Sequence, residues 1–456
     1  MKGMTLARIT EVCGGVYRGA EADQNREITA ITTDSRKAEE GMLFAAIVGE
    51  RVDGHTFIPS VFKKGALCVL SERELPDTAG NYIQVTSTLE ALKAIAAEYL
   101  QQLKIPVVGI TGSVGKTSTK EMIAAVLSQK YNTLKTAGNF NNELGLPLTV
   151  FRLREEHEIA VLEMGINHFG EMHRLAKIAK PDTCVITNIG QCHLEFLGDR
   201  DGVLRAKSEI FDYLREDGHI VLNGEDDKLE TVQEVKGIRP VFFGFGKNCE
   251  VYADRIEKQG LKGISCEIHT PQGSFRTLIP IPGIHMVLNA LAGTAVGLIY
   301  GLTLEQIRAG IESLQPVSGR FHIIHAERAT IIDDCYNANP VSMKASLEVL
   351  QDGLGQKVAI LGDMGELGAD EARLHREVGE FAGGLDLDKC VCVGPLCKNL
   401  AEGIRAVNPQ MEVDCFDNLQ EMMKNLSYLV KQGDTVLVKA SHFMHFEKVV
   451  EALEKL

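Results

Sequence analysis

The sequence predicts an α/β protein built from three domains, and three observations lead to this prediction. The chain has 456 residues, too many for one ordinary core, because domains mostly contain ~100–200 residues. From about residue 105, short apolar runs alternate with helix-like segments, which is typical of a parallel sheet. A second alternation of this kind follows Pro316. The predicted domain ranges are therefore 1–103, 104–314 and 315–456.

Mixed α/β structure is expected in the first range, where strand-like runs at 28–31 and 42–47 are interspersed with loops. A helix is predicted over 89–103, before Pro106. In the later ranges each predicted strand is a short apolar run bounded by polar residues or glycine. The predicted strands are 106–110, 159–162, 184–187, 219–222, 329–332, 358–361, 390–393 and 435–438, with helices at 119–127 and 342–350.

Composition and charge narrow the class of protein. There are 48 basic and 62 acidic residues, a net charge of −14, which argues against a nucleic-acid-binding protein. We find no apolar run of the ~18–20 residues that span a bilayer and no signal peptide. The eleven cysteines form no Cys-x-x-Cys pair, so free thiols in a reducing cytoplasm are favoured over disulfides or a zinc site.

A glycine-rich segment between a predicted strand and a predicted helix is the strongest functional motif. Residues 109–117 read Gly-Ile-Thr-Gly-Ser-Val-Gly-Lys-Thr. Such glycines let backbone N–H groups converge on phosphates, and the helix N-terminus adds donors and a favourable dipole. Lys116 is expected to neutralise phosphate, and Thr117 to ligate Mg²⁺. The usual pattern needs glycine where Ile110 stands, so the loop is a variant; a turn without a ligand is the alternative.

The variant loop resembles the ATP loop of the Mur ligase family, the ATP-dependent amide-bond-forming enzymes of peptidoglycan synthesis. Further segments are similar to family motifs in the same order, in the versions found in the branch that adds D-alanyl-D-alanine. The matches extend from residue 33 to residue 450. The segments are 33–36, 53–55, 111–118, 136–147, 333–340 and 361–368.

The resemblance implies a ligase that joins D-alanyl-D-alanine to UDP-N-acetylmuramoyl-tripeptide through an acyl phosphate. It implies a mixed α/β UDP-substrate domain, a central P-loop ATPase-like parallel sheet and a C-terminal Rossmann-like domain. ATP and Mg²⁺ are the implied cofactors, the two substrates are the implied partners, and a cytoplasmic monomer is expected. Another Mur ligase step, folylpolyglutamate synthase, a P-loop kinase and a non-catalytic ATP-binding regulator are the alternatives.

Three residues beyond the loop offer groups for a metal ion. Glu163 follows the strand predicted over 159–162, and ligands bind at the C-terminal ends of parallel strands. Glu163 and His193 resemble the family's metal ligands. Lys207 matches a lysine that becomes carbamylated and then ligates metal. From the residues alone, Glu163 is otherwise a solvated carboxylate, His193 a surface histidine and Lys207 an exposed helix lysine.

The resemblance also assigns positions to catalysis, nucleotide and substrate; the alternatives are helix caps, surface turns and a surface arginine. The implied catalytic set is Lys116, Glu163, His193, Lys207 and Arg320. The implied nucleotide contacts are Thr111, Gly112, Ser113, Val114, Gly115, Lys116, Thr117, Ser118, Asn289, Arg320, Asn337 and Asn339, and the implied substrate contacts are Ser35, Arg36, Asn141 and Asn142.

Three positions depart from the family pattern. Met286 replaces an asparagine, Ala440 a glycine and His442 an arginine. His442 lacks the permanent charge and the fork of donors that arginine has, so no role is assigned to it, whereas Lys439 and Ser441 remain candidates. The sequence predicts neither the general base for the incoming amine nor the third peptide residue, which is diaminopimelate or lysine.

Overall fold

Three β-sheets flanked by helices form the part of the chain that the structure describes. The computed structural model describes residues 1–49, 52–76 and 79–456. In this part of the chain, no helix combines the length and apolar character that crossing a bilayer requires. The sheets comprise strands between residues 16 and 84, 107 and 279, and 322 and 439. The predicted α/β fold class is confirmed.

The first domain has the mixed α/β structure that was predicted, and its sheet contains both parallel and antiparallel strands. Its described strands follow the order β1-β5-β4-β3-β2, and β1 alone runs antiparallel to its neighbour. The run predicted over 28–31 is largely loop, because the strand begins only at Ile31. The elements are α1 (Leu6–Cys13), β1 (Val16–Arg18), β2 (Ile31–Thr32), β3 (Leu43–Ala45), α2 (Ile58–Lys63), β4 (Cys68–Ser71), β5 (Tyr82–Gln84) and α3 (Thr88–Leu103).

The central sheet has nine strands in the order β14-β13-β12-β11-β10-β9-β6-β8-β7. Its elements are β6 (Val107–Thr111), α4 (Lys116–Leu127), β7 (Thr133–Lys135), α5 (Gly145–Val150), β8 (Ile159–Glu163), α6 (Glu171–Ala179), β9 (Thr183–Ile186), α7 (Leu194–Leu197), α8 (Arg200–Ser208), β10 (His219–Asn223), β11 (Val241–Gly244), β12 (Val251–Lys258), β13 (Ile264–Thr270), β14 (Gly273–Ile279), α9 (His285–Ile299) and α10 (Leu304–Glu312).

The central sheet is parallel over most of its strands, as predicted, and it carries two further antiparallel strands that the sequence did not predict. Strands β6 to β12 are parallel, but β13 and β14 are added antiparallel at one edge. In β13, buried and partly exposed residues alternate, which is the pattern of an antiparallel strand with one solvated face.

The third sheet is parallel except for β15, in the order β15-β16-β20-β17-β18-β19. This is a Rossmann-like arrangement, as predicted. The elements are β15 (His322–His325), β16 (Ala329–Asp333), α11 (Pro340–Leu350), β17 (Lys357–Gly362), α12 (Glu371–Gly383), β18 (Lys389–Val393), α13 (Cys397–Val407), β19 (Glu412–Phe416), α14 (Leu419–Leu429), β20 (Asp434–Lys439) and α15 (Glu447–Leu453).

Helix α4, which starts at the glycine-rich loop, is held by close contacts with α9 and α10. A Cβ added at Gly310 would lie 2.5 Å from Val126 Cα, and one added at Gly293 would lie 3.0 Å from Met122 Cγ. These glycines let the neighbouring helices approach the backbone of α4. The phosphate-loop helix therefore has a fixed position against the core.

Strand pairing brings the functional segments to one edge of the central sheet. Strand β6 lies between β8 and β9, with Ile110 opposite Glu163 and Thr111 opposite Ile186. The segments that follow these three parallel strands therefore meet where ligands bind in such sheets.

Candidate active site

The glycine-rich loop between β6 and α4 has the shape of a phosphate cradle. Gly115 has φ +81° and occupies the N-cap of α4, where no side chain caps the helix. The N–H groups of the first helical turn are thus left to bind an anion. A Cβ at Gly112 would lie 1.9 Å from Thr187 Oγ1, so this position requires glycine.

Residues that follow β9 hold the glycine-rich loop in place through hydrogen bonds. The Val114 N–H donates to Asn188 Oδ1 at 2.9 Å, and Thr187 Oγ1 donates to the Val114 carbonyl at 2.6 Å. The Gly190 N–H donates to Ser113 Oγ at 2.8 Å. These bonds fix the loop without using the free N–H groups of α4. The Thr111 hydroxyl is buried without a hydrogen-bond partner in the described part of the chain.

Two residues of the first turn of α4 form hydrogen bonds beyond the helix: Lys116 contacts the glycine-rich loop, and Thr117 contacts the end of β8. Lys116 Nζ donates to the Gly112 carbonyl at 2.8 Å, and burial lowers the pKa of this amine. Thr117 Oγ1 donates to Glu163 Oε2 at 3.0 Å. The Glu163 side chain is 2% exposed, and its Oε1 accepts from Asn141 Nδ2 at 2.8 Å.

The donor set at this point fits a hard divalent cation. A hydroxyl and a carboxylate lie side by side at the start of α4, and oxygen ligands of this kind suit Mg²⁺. Thr117 and Glu163 would hold the ion. Glu163 is therefore not the solvated carboxylate that was its alternative interpretation.

The alternative interpretation of Lys207 as an exposed helix lysine is wrong, because the side chain is buried. It lies at the C-terminal end of α8 and is 1% exposed. Burial, with a contribution from the charge of Lys116, lowers its pKa to about 7. A buried amine that loses its proton near neutral pH is suited to carbamylation.

His193 lies at the N-cap of α7 with a left-handed φ of 50°. Burial and the charges of Lys207 and Lys116 lower its pKa to about 4. The imidazole is therefore neutral at pH 7, the form that ligates metal. Its Nδ1 lies 3.3 Å from Glu366 Oε2, so the central domain touches the C-terminal domain here.

Arg320 approaches the start of α4 from the C-terminal domain. Its guanidinium lies 4.2 Å from the centroid of the Tyr336 ring, and its charge acts on Lys116. It also lines a small cavity together with Ser118 and Met286. The charges of Glu163 and Arg320 both act on Lys116, so the two cations, Lys116 and Arg320, lie near the start of α4.

Asn337 and Asn339, two of the predicted nucleotide contacts, form hydrogen bonds within the C-terminal domain. Asn339 caps α11, accepting from the Ser342 N–H at 2.9 Å in a reciprocal capping box. Asn337 Oδ1 accepts from the Ala338 N–H, and the Asn337 carbonyl accepts from Lys439 Nζ at 3.1 Å. These contacts match the alternative interpretation as a turn before Pro340.

Asn289 is neither a helix cap nor a surface amide. It is buried within α9, and its Oδ1 accepts from Thr119 Oγ1 at 2.8 Å. Met286, the departure from the family pattern, places its Sδ 3.2 Å from Asn289 Nδ2. The thioether therefore contacts the amide that the resemblance assigns to the adenine side.

The predicted substrate residues lie in two places, the first domain and the segment that precedes α5. Ser35 and Arg36 lie in a one-turn helix of the first domain, where Arg36 pairs with Asp34 at 2.8 Å. Asn142 caps the turn before α5 through a 2.8 Å bond from the Gly145 N–H, whereas Asn141 belongs to the Glu163 cluster.

Sequence reasoning missed Lys120, which lies fully buried on α4. Its Nζ is 3.6 Å from Glu163 Oε2 and 3.1 Å from Glu121 Oε1. The available signal was helical spacing, because Lys120 follows Thr117 by three residues and so shares its face of the helix.

Comparison with protein-family models gives matches over three consecutive segments. Residues 27–110 match the Mur ligase family catalytic domain, residues 110–297 the Mur ligase middle domain and residues 319–442 the Mur ligase glutamate ligase domain. The segments follow the order of the three sheets.

Similar proteins and structures extend over nearly the whole chain. The UDP-N-acetylmuramoyl-tripeptide–D-alanyl-D-alanine ligase of Bacillus subtilis (strain 168) is 37% identical over 98% of both chains. That of Escherichia coli (strain K12) is 38% identical over 100% of this chain and 99% of its own.

Crystal structures agree with these sequence matches. MurF from Acinetobacter baumannii superposes with a TM-score of 0.90 at 36% identity, covering 99% of each chain. MurF from Thermotoga maritima in complex with ADP gives 0.82 at 32% identity, covering 93% of this chain and 97% of its own. The chain therefore belongs to the Mur ligase family.

Proposed function

We propose that the chain is the ATP-dependent ligase that adds D-alanyl-D-alanine to UDP-N-acetylmuramoyl-tripeptide and yields the pentapeptide. One observation carries the proposal: the Thr117–Glu163 pair lies beside an open helix N-terminus, and Lys116, on which the charges of Glu163 and Arg320 act, stands at the same helix start. This arrangement suits a reaction in which a carboxylate must approach an anionic phosphate. The full-length similarity to ligases of this name supports the choice of substrates.

The reaction has two steps. The terminal carboxylate of the tripeptide attacks the γ-phosphorus of ATP, forming an acyl phosphate and releasing ADP. The amine of D-alanyl-D-alanine then attacks the acyl carbon, and phosphate leaves. Lys116 and Arg320 offset the negative charge that accumulates on the phosphoryl oxygens.

The proposed metal ligands are the Thr117–Glu163 pair and two residues that the family resemblance adds. Thr117, Glu163, His193 and a carbamylated Lys207 would hold Mg²⁺. Such an ion supplies positive charge that lowers the repulsion between carboxylate and phosphate. The neutral imidazole of His193 and the low pKa of Lys207 agree with these roles.

The three ranges 1–103, 104–314 and 315–456 are proposed as the UDP-substrate, ATP-binding and ligase domains. Ser35, Arg36 and Asn142 are proposed to bind substrate from the first two, and Asn289, Asn337 and Asn339 to border the nucleotide. Asn141 would act on substrate and on Glu163 together.

An isotope experiment tests the proposal. Tripeptide substrate labelled with ¹⁸O in its terminal carboxylate is incubated with ATP, Mg²⁺ and D-alanyl-D-alanine. We expect one ¹⁸O in each phosphate released, because the acyl phosphate passes a carboxylate oxygen to phosphate. Release of ADP without transfer of label, or retention of the γ-phosphate on a substrate as in a kinase, would contradict the proposal.

Substrate exchange separates the related activities. Replacing D-alanyl-D-alanine by D-glutamate, by a diamino acid or by glutamate with a folate acceptor is expected to abolish ADP release above background. Stimulation by one of these pairs instead would assign the chain to another branch of the family.

A further inference from the structure

Lys120 is a fully buried cation with incomplete hydrogen bonding. Its side chain is 0% exposed, and its Nζ has no hydrogen-bond partner in the described part of the chain. Removing an ammonium from water is strongly unfavourable unless opposite charges compensate it. The groups that compensate Lys120 therefore decide what this residue does.

Two carboxylates face the Lys120 ammonium. Glu121 Oε1 lies 3.1 Å away, but the other oxygen of Glu121 is already paired with Lys135. Glu163 Oε2 lies 3.6 Å away, and Glu163 contacts no other lysine or arginine within salt-bridge distance in the described residues. Lys120 is thus the direct counter-charge of Glu163.

The position of Lys120 on α4 gives it a geometric effect. Thr117 and Lys120 are three residues apart, and both point at the same oxygen, Glu163 Oε2. Asn141 holds the other oxygen at 2.8 Å. The carboxylate is therefore fixed by groups on two sides, and one of its two anchors on α4 is charged.

We propose that Lys120 is a positioning residue that holds the Glu163 carboxylate beside the Thr117 hydroxyl and thereby sets the affinity of this pair for a divalent cation. The inference rests on the proposed function for the presence of that cation. Lys120 does not touch substrate, because its ammonium is enclosed.

The test is the thermodynamic coupling between metal and nucleotide. ADP affinity is measured by calorimetry with Mn²⁺ and again with EDTA, in the wild type and in Lys120→Met. We expect Lys120→Met to lower the Mn²⁺-dependent gain in ADP affinity tenfold or more, while ADP affinity in EDTA stays within threefold. A purely structural role would lower the melting temperature and leave the coupling unchanged, which would overturn the proposal.

Lys135→Met is the matched control. Lys135 pairs with Glu121 and is partly exposed, at 46% of its side chain, and we expect its replacement to leave the coupling within twofold of the wild type. If Lys120→Met fails to fold, Lys120→Met/Glu121→Gln removes one charge of each sign and is measured in its place. Wild-type coupling in that variant also overturns the proposal.

The measurement separates this inference from the proposed reaction. It needs neither the tripeptide nor D-alanyl-D-alanine, so an error in the assigned amine or acceptor would leave the expected result unchanged. Steady-state activity assays of Lys120→Met give a second measurement. We expect kcat to fall, and we expect higher Mn²⁺ concentrations to restore part of the loss.

Discussion

Lys207 shows at the residue scale how burial changes the chemistry of a side chain. A lysine in water is protonated at neutral pH, and a protonated amine does not react with CO₂. Burial lowers the pKa of Lys207 to about 7, so the neutral amine predominates above that pH. The metal site is thus expected to depend on a modification that only the folded chain promotes.

The carbamate of Lys207 is a testable consequence. In ¹³C-bicarbonate at pH 8, we expect a carbamate carbon signal in the wild type that is absent from Lys207→Met. The signal should decrease as the pH falls through about 7, because protonation of the buried amine removes the nucleophile. Lys177→Met, on the neighbouring helix α6, is the control. A signal that persists in Lys207→Met would contradict the assignment.

Glu163 is expected to be the least replaceable carboxylate. Glu163→Gln keeps the volume but removes the charge that faces Lys120 and the predicted cation. We expect kcat to fall at least 100-fold, with the ADP affinity in EDTA little changed. Steady-state ADP release and calorimetry check the two effects. A fall of less than tenfold would show that Glu163 does not hold the metal.

At the scale of the element, the loop between β6 and α4 depends on close contact with the strand beside it. Gly112→Ala would place a methyl group where only 1.9 Å separates it from Thr187 Oγ1. We expect about 1–3 kcal/mol of destabilisation and at least a tenfold loss of ATP affinity, because the loop must move. Denaturant unfolding and calorimetry measure these effects.

Gly384→Ala is the control, because an added Cβ would meet its nearest atom at 3.4 Å, and we expect it to change neither quantity. Unaltered ATP affinity in Gly112→Ala would contradict a rigid cradle.

The elements that the sequence predicted well share one physical property. Strands such as β8 and β17 are continuous apolar runs, because both faces of a parallel sheet are covered by helices. Strands β13 and β19 were missed because polar residues that are at least partly exposed interrupt their apolar residues. In β19, no residue is buried. Apolar run length therefore identifies strands that are buried on both faces and overlooks strands with a solvated face.

The site could be predicted only where motif and strand end coincide. Glu163 follows a recognisable strand, so its place at the sheet edge was predictable. The burial of Lys207 and Lys120 was not, because a single sequence does not show which face of a helix meets the core. Asn141 was expected at the substrate, and its bond to Glu163 depends on a loop whose path the sequence does not determine.

At the scale of the whole molecule, the proposed active site is divided between domains. The phosphate loop and Glu163 belong to the central domain, whereas Arg320 and Glu366 approach from the C-terminal domain. Closure of the domains around substrates would complete such a site and exclude water. The contact between His193 and Glu366 is one point at which closure can be monitored.

Arg320 gives the clearest test of catalysis by two domains. Arg320→Ala removes a guanidinium that stacks on Tyr336 and acts on Lys116, so we expect kcat to fall 100-fold or more with little change in melting temperature. Arg320→Lys should recover only part of the loss, because an ammonium lacks the planar fork that binds phosphate oxygens.

Small-angle scattering with an ATP analogue and tripeptide should show less compaction in Arg320→Ala than in the wild type. Arg328→Ala, a surface change in the same domain that removes a bond to the Ser427 carbonyl, is the control. Equal compaction and near-normal kcat in Arg320→Ala would show that the C-terminal domain does not act on the phosphate through this residue.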